Sequence, residues 1–482
     1  MEGNLAVIIL AAGKSTRFMS SKAKVLHELC GKPMIEWVLD AALPLAPQQL
    51  IIVYGTHSIE LKDKYAGGYL EHDIDLVLQE PTLGTAHAVM TTANVLHQDI
   101  THLLVLPGDA PLVRAGELAV LDQALANSNT THAVLSTHVE DPGDLGRVLR
   151  GSDSALIERI IEAHEATDTE LAIKEISTGI YLFARSVFDH LKQAAERFGA
   201  SDSKGEYYLP DVARVAPTCV AACPGISAPI GVNDRIQLSN AEAVLLGRLR
   251  QHWMSEGATF HLPETTYLDH DVVISVDAEI GPHCVLTRGT HIGAATKLVQ
   301  GCLLETCIIG ENCELRHVRG LMSVVEANVS AGPYVNMRPG TILHDGVKVG
   351  NFVETKNADV GAGSKLPHLQ YIGDAILGER CNIGAGTIFC NYDGVQKHYT
   401  TLGAEVFTGS NSSIQGGVTL GDGSYIAMGS AITKDVPADA LAIARGRQEN
   451  KLDYVKKLRE RLERRKERAS SGEQKSAESS GG

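Results

Sequence analysis

Aliphatic residues recur at an interval of six in the second half of the chain, and this spacing restricts the folds open to it. One unbroken register consists of Leu402, Thr408, Ile414, Leu420, Ile426 and Ile432. A helix repeats apolar residues about every 3.6 residues and a strand every second residue, so neither element produces this pattern. A hexad with glycine directly after the apolar position, as at Gly403 and Gly421, is typical of a left-handed parallel β-helix.

The same interval can be followed upstream. The further registers comprise Ile274, Ile280, Leu286, Ile292, Leu298 and Leu304; after a slip of one residue, Ile309, Leu315 and Leu321; and, after a longer break, Val360, Leu366, Ile372, Leu377, Ile383 and Phe389. At about 18 residues per turn, residues 262 to 436 predict roughly ten turns of coil. The slips predict loops that leave the coil, the longest between Asn391 and Thr401, and such loops are where function is expected.

Length and charge narrow the class of protein. The 482 residues fit two large domains and a tail, since a solenoid uses residues without adding a globular core. A net charge of −15 disfavours a nucleic-acid partner. The first residues lack the flanks of a signal peptide, and no apolar run approaches the ~20 residues of a membrane span. We therefore expect a cytoplasmic protein with no membrane partner.

The nine cysteines are an odd number without CxxC spacing, so neither a disulfide framework nor a zinc site is expected. Six of them lie within the hexads and are predicted to be small buried residues: Cys284, Cys302, Cys307, Cys313, Cys381 and Cys390.

The first half alternates strand-like and helix-like segments, which predicts a mostly parallel, Rossmann-like α/β sheet with helices on both faces. The strand candidates are Ala6–Leu10, Leu50–Val53, Asp75–Leu78, Leu103–Leu106 and Ala133–Thr137, and the helix candidates include Met34–Leu43, Thr85–Val95 and Gly116–Ala126. Such sheets bind ligands beyond the carboxyl ends of their strands. The loops after the first, third and fourth strands are therefore the candidate sites.

The first of these loops reads Leu10-Ala-Ala-Gly-Lys-Ser-Thr-Arg17. It is not a Walker A loop, because that motif needs glycine where Ile8 stands. A small-residue turn after a strand allows backbone N–H groups to approach a phosphate, and Arg17 and Lys24 supply cations. The alternative is an ordinary turn.

The other two loops add polar groups. Gln79 offers an amide for a base edge, and Gly84-Thr85 forms a turn that opens a helix. Asp109 follows Gly108 at a strand end, where it could hold Mg²⁺ or merely cap a turn.

The combination of motifs is recognisable. In order they are LAAGKSTR, AKVLHEL, QEPTLGTAHA, PGDAPL, LGRV, STGIY, GEYYLPD and GVNDR, followed by the hexads. From Leu5 to Arg445 the chain resembles the GlmU family, bacterial bifunctional enzymes with N-acetylglucosamine-1-phosphate uridylyltransferase and glucosamine-1-phosphate N-acetyltransferase activities. The resemblance implies synthesis of UDP-N-acetylglucosamine, a cell-envelope precursor, from UTP, glucosamine 1-phosphate and acetyl-CoA, through N-acetylglucosamine 1-phosphate.

The resemblance also implies roles for residues in the first half. Arg17 and Lys24 would act in catalysis by neutralising the triphosphate, and Asp109 and Asn233 would hold Mg²⁺. The nucleotide and its sugar would contact Leu10, Ala11, Ala12, Gly13, Lys24, Gln79, Gly84, Thr85, Gly108, Gly146, Glu162, Ser177 and Asn233. The chain departs from the family at Pro107, where a tyrosine-like residue is usual, and at Ser177, where asparagine is usual.

In the second half, acyl transfer to an amine needs a base that titrates near neutrality, and histidine suits that task. By resemblance His368 would be this base. Glucosamine 1-phosphate would contact Arg338, Lys356, Tyr371 and Asn382, and acetyl-CoA would contact Ala385, Asn391, Tyr392, Ser410, Met428 and Arg445. Met428 replaces a smaller residue that is usual in the family. β-Helix acyltransferases bind their substrates between subunits, so a homotrimer is expected.

The predicted domains are a nucleotidyltransferase domain at 1–235, a linker helix at 236–257, a β-helix acetyltransferase domain at 258–446 and a charged, partly disordered tail at 447–482. From Lys451 to Arg468 the tail has nine basic and four acidic residues. It is either a solvated helix or, following the family, a segment that closes over the phosphates of CoA.

Two alternatives to the bifunctional enzyme stay open on the sequence. One is a sugar-1-phosphate nucleotidylyltransferase whose β-helix serves only oligomerisation. The other is a non-catalytic assembly subunit built from the same two folds. The cations and oxygen ligands of the first half argue against the second alternative.

Overall fold

The computed structural model describes residues 4–14, 16–151, 153, 155–200, 205–223 and 231–478, with side chains described as far as residue 469. The chain divides into two compact units, Met1–Gly346 and Val347–Gly482. Ser15 of the first predicted loop and residues 479–482 of the tail lie outside the described residues.

The first unit begins with a nine-stranded sheet. Its strands are β1 Leu5–Ala11, β2 Gln49–Tyr54, β3 Asp75–Leu78, β4 His102–Pro107, β5 His132–His138, β6 Arg147–Arg150, β7 Ile157–Ile161, β8 Glu175–Ala184 and β9 Thr218–Ala222. The order across the sheet is β9-β5-β8-β4-β1-β2-β3, with β6 and β7 attached beside β8. Along this order neighbours pair in parallel except at β8, which runs antiparallel to β4 and β5. The attached β6 pairs antiparallel with both β7 and β8. A short hairpin joins Glu28–Leu29 to Lys32–Pro33.

The helices cover both faces of this sheet, as the sequence predicts. They are α1 Met34–Ala42, α2 Glu60–Tyr65, α3 Thr85–Thr91, α4 Ala115–Ala126, α5 Asp168–Leu171 and α6 Val187–Phe198. Short 3-10 turns occur at Thr16–Phe18, Lys24–Leu26, Leu43–Leu45, Thr56–Ser58, Thr92–Asn94, Leu209–Arg214 and Pro263–Thr265. Along β1, Val7 and Ile9 pack on one face while Ala6 and Ile8 pack on the other. Since successive side chains of a strand point to opposite faces, a continuous apolar run identifies a strand buried on both sides.

Helix α7, Arg235–Ser255, follows the sheet, and Asp234 caps its first turn by accepting a hydrogen bond of 2.8 Å from the Gln237 backbone N–H. Its apolar side chains Ala241 and Leu245 pack with Phe18, Leu29 and Met34.

The coil of the first unit comes after α7. Its strands, β10 to β24, are Thr259–Phe260, Tyr267–Leu268, Val273–Ile274, Glu279–Ile280, Val285–Thr287, His291–Ile292, Lys297–Gln300, Leu303–Glu305, Ile308–Ile309, Glu314–Arg316, Val318–Leu321, Val324–Val325, Ser330–Ala331, Val335–Met337 and Ile342–Leu343. Every third strand pairs in parallel, for example Val273 with His291. The predicted left-handed parallel β-helix is confirmed, and an 18-residue turn of three hexads explains this pairing.

The second unit continues with coil strands β25 to β35. They are Lys348–Val360, Lys365–Leu377, Asn382–Ile383, Ile388–Cys390, Thr400–Leu402, Phe407–Thr408, Ser413–Gln415, Thr419–Leu420, Tyr425–Ile426, Ala431–Ile432 and Leu441–Ala442. Ala375 pairs with Thr400, whereas Lys365 pairs with Asn382. The longer interval confirms the predicted loop after Asn391.

The coil confirms the hexads and corrects three details. All predicted inward residues are buried except Leu321, because Gly320 pairs with Leu304 and takes the inward position instead. The predicted break is filled by further buried residues, namely Val325, Ala331, Met337, Leu343, Val349 and Thr355. Cys390 was predicted to be buried but is exposed, because it lies one residue beyond the inward Phe389.

The chain ends in helix α8, Tyr454–Glu478, whose side chains are exposed as far as Ala469. The charged segment Lys451–Arg468, for which a solvated helix is one of the two predictions, is therefore helical from Tyr454 onward. Within the described part of the chain, the helices are too short or too polar to span a bilayer.

Candidate active sites

The carboxyl ends of β1 and β4 bring two predicted loops together. The backbone N–H of Gly108 donates to the carbonyl oxygen of Leu10 at 2.9 Å. A side chain at Gly108 would lie 3.2 Å from both that oxygen and Ile9, so the close approach of the two loops favours glycine. The Val232 N–H donates to the Asp109 carbonyl at 2.8 Å and so places Asn233 beside the Asp109 carboxylate.

Three of the predicted residues meet at this edge. The ammonium group of Lys24 forms an ion pair with Asp109 and donates to the Asn233 side-chain oxygen at 3.0 Å. The carboxylate and amide oxygens thus converge on one cation, and such oxygens are the donors that Mg²⁺ prefers. These residues fit a magnesium site, although within the described chain no three acidic, histidine or cysteine side chains cluster as a metal cage.

The predicted base pocket is assembled at the start of α3. The Gln79 amide is buried, donates to the Gly84 carbonyl at 2.9 Å and contacts His87 Nδ1 at 3.1 Å. Gly84 has a φ of +92°, and a side chain there would collide with the Tyr207 carbonyl oxygen at 2.5 Å. Thr85 Oγ1 accepts from the Leu209 N–H at 2.9 Å. The segment from Tyr207 to Leu209 therefore fixes this loop.

The residues predicted to contact the sugar lie beside β8. The Ser177 N–H donates to the Gly146 carbonyl at 3.0 Å, and a side chain at Gly146 would lie 3.5 Å from Glu162 Oε1. Burial raises the pKa of the Glu162 carboxyl, and the nearby Glu165 adds to this shift while His164 opposes it. The Ser177 hydroxyl is 3.4 Å from the Tyr181 hydroxyl.

A cavity of about 300 Å³ opens next to Glu162. Its lining includes Tyr208, Asp211 and Arg214. Arg214 pairs with Asp211 at 3.2 Å and lies over the ring of Phe198 at 3.6 Å.

The cations at the mouth of the site differ in their surroundings. Lys24 is largely shielded, with 15% of its side chain accessible, whereas Arg17 is exposed on the turn Thr16–Phe18. Ala11 and Ala12 are buried at the end of β1, Leu10 is half-buried, and Gly13 is exposed.

In the second unit, His368 lies at a corner of the coil and is exposed. Its carbonyl accepts from the Gly386 N–H at 3.1 Å. On the following turns the Asn411 N–H donates to Ala385 at 2.7 Å and the Gly429 N–H donates to Ser410 at 2.8 Å. The histidine and the predicted acetyl-CoA residues Ala385, Ser410 and Met428 therefore share one column of the coil, since each lies within a residue of these contacts.

A buried carboxylate that the sequence does not predict lies on the same strand as His368. Asp374 is 3% exposed and accepts from Lys356 Nζ at 3.1 Å and from the Asn357 amide at 2.9 Å. The Asn391 amide also donates to it, and lies 3.4 Å from the Tyr371 hydroxyl. Burial alone would raise the pKa of the Asp374 carboxyl, but the hydrogen bonds from Asn357, Lys356 and Asn391 outweigh it and lower that pKa.

The loop after Asn391 carries two further groups that sequence reasoning missed. The side chain of Lys397 interacts with that of Lys356, and the Tyr399 hydroxyl accepts a hydrogen bond from the Asn357 amide. The available signal for Asp374 was a single acid in the otherwise buried run Ile372 to Ala375. The loop residues gave no comparable signal, because a loop has no period.

The predicted residues of the coil differ in their exposure. Asn382 is half-buried on β27, Tyr392 and Met428 are about 60% exposed, and Arg445 is exposed beyond the last strand. Arg338 belongs to the first unit and directly follows Val335–Met337.

Comparison with known proteins agrees with this architecture. A family model described as nucleotidyl transferase matches residues 6–216. The bifunctional protein GlmU of Listeria welshimeri serovar 6b is 41% identical over 456 residues, which cover 94% of this chain and 98% of the relative. The GlmU proteins of Pelobacter propionicus and Trichlorobacter lovleyi are each 40% identical, over 455 and 461 residues, covering 93% and 94% of this chain and 97% and 99% of the relatives.

The sheet with its cation and oxygen cluster, followed by a hexapeptide-repeat coil with its own polar cluster, defines a two-domain transferase. Identity over nearly the full length of both partners then places the chain in one family: it belongs to the GlmU family. It is accordingly a bifunctional enzyme of UDP-N-acetylglucosamine synthesis, an N-acetylglucosamine-1-phosphate uridylyltransferase and glucosamine-1-phosphate N-acetyltransferase.

Proposed function

We propose that the edge of the sheet carries uridylyl transfer and the coil carries acetyl transfer. In the first reaction glucosamine 1-phosphate is acetylated by acetyl-CoA. In the second, the N-acetylglucosamine 1-phosphate attacks UTP, giving UDP-N-acetylglucosamine and pyrophosphate. The observation that supports this division is the presence of two polar clusters, one of Lys24, Asp109 and Asn233 and the other of Asp374 with Lys356 and Asn391. The exposed His368 lies on the same strand as Asp374.

At the sheet edge the protein mainly aligns and screens charge. The sugar phosphate is already a nucleophile and pyrophosphate is already a good leaving group, so no covalent protein nucleophile is needed. Gln79 and the Gly84-Thr85 turn hold the uracil base, and the Gly13 loop with Arg17 and Lys24 receives the phosphates. Gly146, Glu162 and Ser177 receive the amino sugar.

Asp109 and Asn233 are the residues that would hold Mg²⁺. When bound, the ion would neutralise charge on the phosphates. Lys24, which contacts both oxygens, would turn its ammonium group toward the phosphates.

On the coil, His368 accepts a proton from the substrate ammonium, and the free amine attacks the thioester carbonyl of acetyl-CoA. The carbon–sulfur bond breaks, CoA leaves as the thiolate and takes up a proton. Lys356 and Lys397 neutralise the sugar phosphate, with Tyr371 and Asn382 around the sugar. Ala385, Asn391, Tyr392, Ser410, Met428 and Arg445 line the path of acetyl-CoA.

We also propose that the enzyme is a cytoplasmic homotrimer that supplies a cell-envelope precursor. The exposed predicted acetyl-CoA residues Tyr392, Met428 and Arg445 support a site that a neighbouring subunit completes. Light scattering should give three times the mass of one chain, and an active monomeric acetyltransferase would overturn the shared site.

The reaction itself is tested by incubating the purified chain with glucosamine 1-phosphate, acetyl-CoA, UTP and Mg²⁺ and omitting one component at a time. UDP-N-acetylglucosamine should form only in the complete mixture. Thiol release should need only glucosamine 1-phosphate and acetyl-CoA. Uridylylation without any thiol release would instead indicate that the coil serves only for oligomerisation.

A further inference from the structure

Asp374 contacts the predicted substrate residues without being accessible to a substrate. It is 3% exposed, so it cannot itself bind sugar or CoA. Its two oxygens nevertheless accept hydrogen bonds from Lys356, Asn357 and Asn391. These donors come from two different parts of the fold, namely strand β25, Lys348–Val360, and the segment that follows strand β28, Ile388–Cys390.

The same carboxylate anchors both ends of the loop that leaves the coil. Asn391 begins the loop and donates to Asp374 directly, while its carbonyl oxygen accepts from the His398 N–H at 2.8 Å. Tyr399 ends the loop and is joined to Asp374 through Asn357. Lys397 lies between these two anchors in the sequence.

The charges of Lys356, Lys397 and Asp374 explain what this arrangement does. The side chains of Lys356 and Lys397 interact, and two neighbouring ammonium groups repel one another. One buried carboxylate offsets one of the two positive charges before a substrate arrives. The buried charge of the cluster is the Asp374 carboxylate, whereas Lys356 is half-buried and Lys397 is exposed. Because an unpaired buried charge is strongly unfavourable, the carboxylate keeps the Lys356 ammonium group in place as its counter-charge.

We propose that Asp374 is a positioning residue for acetyl transfer. It holds Lys356 and, through the anchored loop, Lys397 side by side as a two-cation clamp for the phosphate of glucosamine 1-phosphate. The inference rests on the proposed acetyltransferase function of the coil. It adds to that function the residue that determines the preference for a phosphorylated amino sugar.

The test is the Asp374→Asn variant in the full-length protein. The amide keeps the size of the carboxylate, but it removes the charge and turns a donor toward neighbouring donors. We expect the KM for glucosamine 1-phosphate to rise roughly ten-fold or more, since the effect falls on phosphate binding. The rate with glucosamine, which lacks the phosphate, and the rate of uridylyl transfer should stay at the wild-type values.

A double-mutant cycle separates positioning from general damage. In a Lys356→Met background the further change Asp374→Asn should cost little, because the cation that it holds is already gone. Ser364→Ala is the matched structural control: Ser364 is a buried hydroxyl of the same coil that bonds to Gly378 at 3.0 Å and to Cys381 at 2.9 Å, away from the cluster. The Ser364→Ala variant should leave the KM for glucosamine 1-phosphate and the rate with glucosamine unchanged.

Three results would overturn the proposal. They are an unchanged KM in Asp374→Asn, an equal loss with glucosamine and with its 1-phosphate, and full additivity with Lys356→Met. A wild-type protein that never consumes acetyl-CoA would instead overturn the acetyltransferase function itself, so the two failures are distinguishable.

Discussion

The two active regions of this chain gather their residues in different ways. At the sheet, Lys24, Asp109 and Asn233 are far apart in the sequence and meet because parallel strands end at one edge. On the coil, His368, Ala385, Ser410 and Met428 recur after one turn each and meet because the repeat stacks them. The sheet thus assembles a site by topology and the coil by period.

This difference predicts how each region tolerates change. A site at a sheet edge depends on a few loops, each held by single contacts such as the Gly108 to Leu10 hydrogen bond. A site on a coil depends on register, because each turn contacts only its neighbours. Substitutions in one region should therefore leave the reaction of the other intact.

The largest effect is expected for Asp109→Ala. The variant loses the carboxylate that pairs with Lys24 and that is proposed to hold Mg²⁺, so UDP-N-acetylglucosamine formation should fall at least about a thousand-fold. Acetyl transfer, measured as thiol release, should be unchanged. The matched control is Asp99→Ala, at the other end of β4, where the exposed carboxylate accepts a hydrogen bond from the Asn4 amide at 3.2 Å. Equal loss of both reactions with the fold preserved would contradict the separation.

The reciprocal variant is His368→Ala. Loss of a general base typically costs about a hundred-fold to ten-thousand-fold, so thiol release should fall by that order while uridylyl transfer persists. His291→Ala provides the control, because His291 is also an exposed histidine on the coil. Wild-type thiol release from the His368 variant would show that another group removes the proton.

The comparison also explains what the sequence could predict. The coil could be predicted because its inward residues repeat at a fixed interval of six. The six predicted inward residues from Leu402 to Ile432 are all buried. The prediction failed between two slips of register, where the inward residues Gly320 and Thr355 each stand five residues before the next one. The large apolar residues between these slips, such as Val325, Met337 and Leu343, were therefore missed.

At the sheet, strands and helices were predicted to within one or two residues at most ends, but side-chain partners were not. That Lys24 bridges Asp109 and Asn233 depends on strand order, which local spacing does not encode. The antiparallel β8 was likewise absent from the predicted strands. On the coil, Asp374 was missed because a buried acid has no periodic signature.

A third prediction concerns the stability of the coil. Ile414 is fully buried and pairs with Phe389 and Ile432 on adjacent turns. Ile414→Ala should lower the free energy of unfolding by about 2–5 kcal/mol through lost burial and a cavity. Acetyl transfer should be lost at a lower temperature, while heat inactivation of uridylyl transfer stays unchanged. Val395→Ala, 89% exposed on the loop, is the control with a near-zero effect.

The smallest predicted effect separates the regions by pH. His132 on β5 is fully buried, and burial lowers its pKa to about 4, with His190 adding to the shift and the Thr131 carbonyl opposing it. The unfolded value is 6.5, so the folded state favours the neutral ring. The contribution of His132 to stability is therefore fully present above pH 6.5 and is lost as the pH falls toward 4.

When the pH falls from about 7.5 to about 5, His132 should lower the free energy of unfolding of the sheet domain by about 2 kcal/mol. This difference is measured by denaturant unfolding, with the loss of uridylyl transfer as the signal. His132→Gln cannot titrate and should lose about that much less stability over the same interval, whereas the exposed His291→Gln should behave as the wild type. The unfolding transition of the coil, monitored by the loss of acetyl transfer, should not change in His132→Gln. A shift of both transitions would mean that the two regions do not unfold independently, and the contrast between a site built by topology and a site built by period would not extend to their stability.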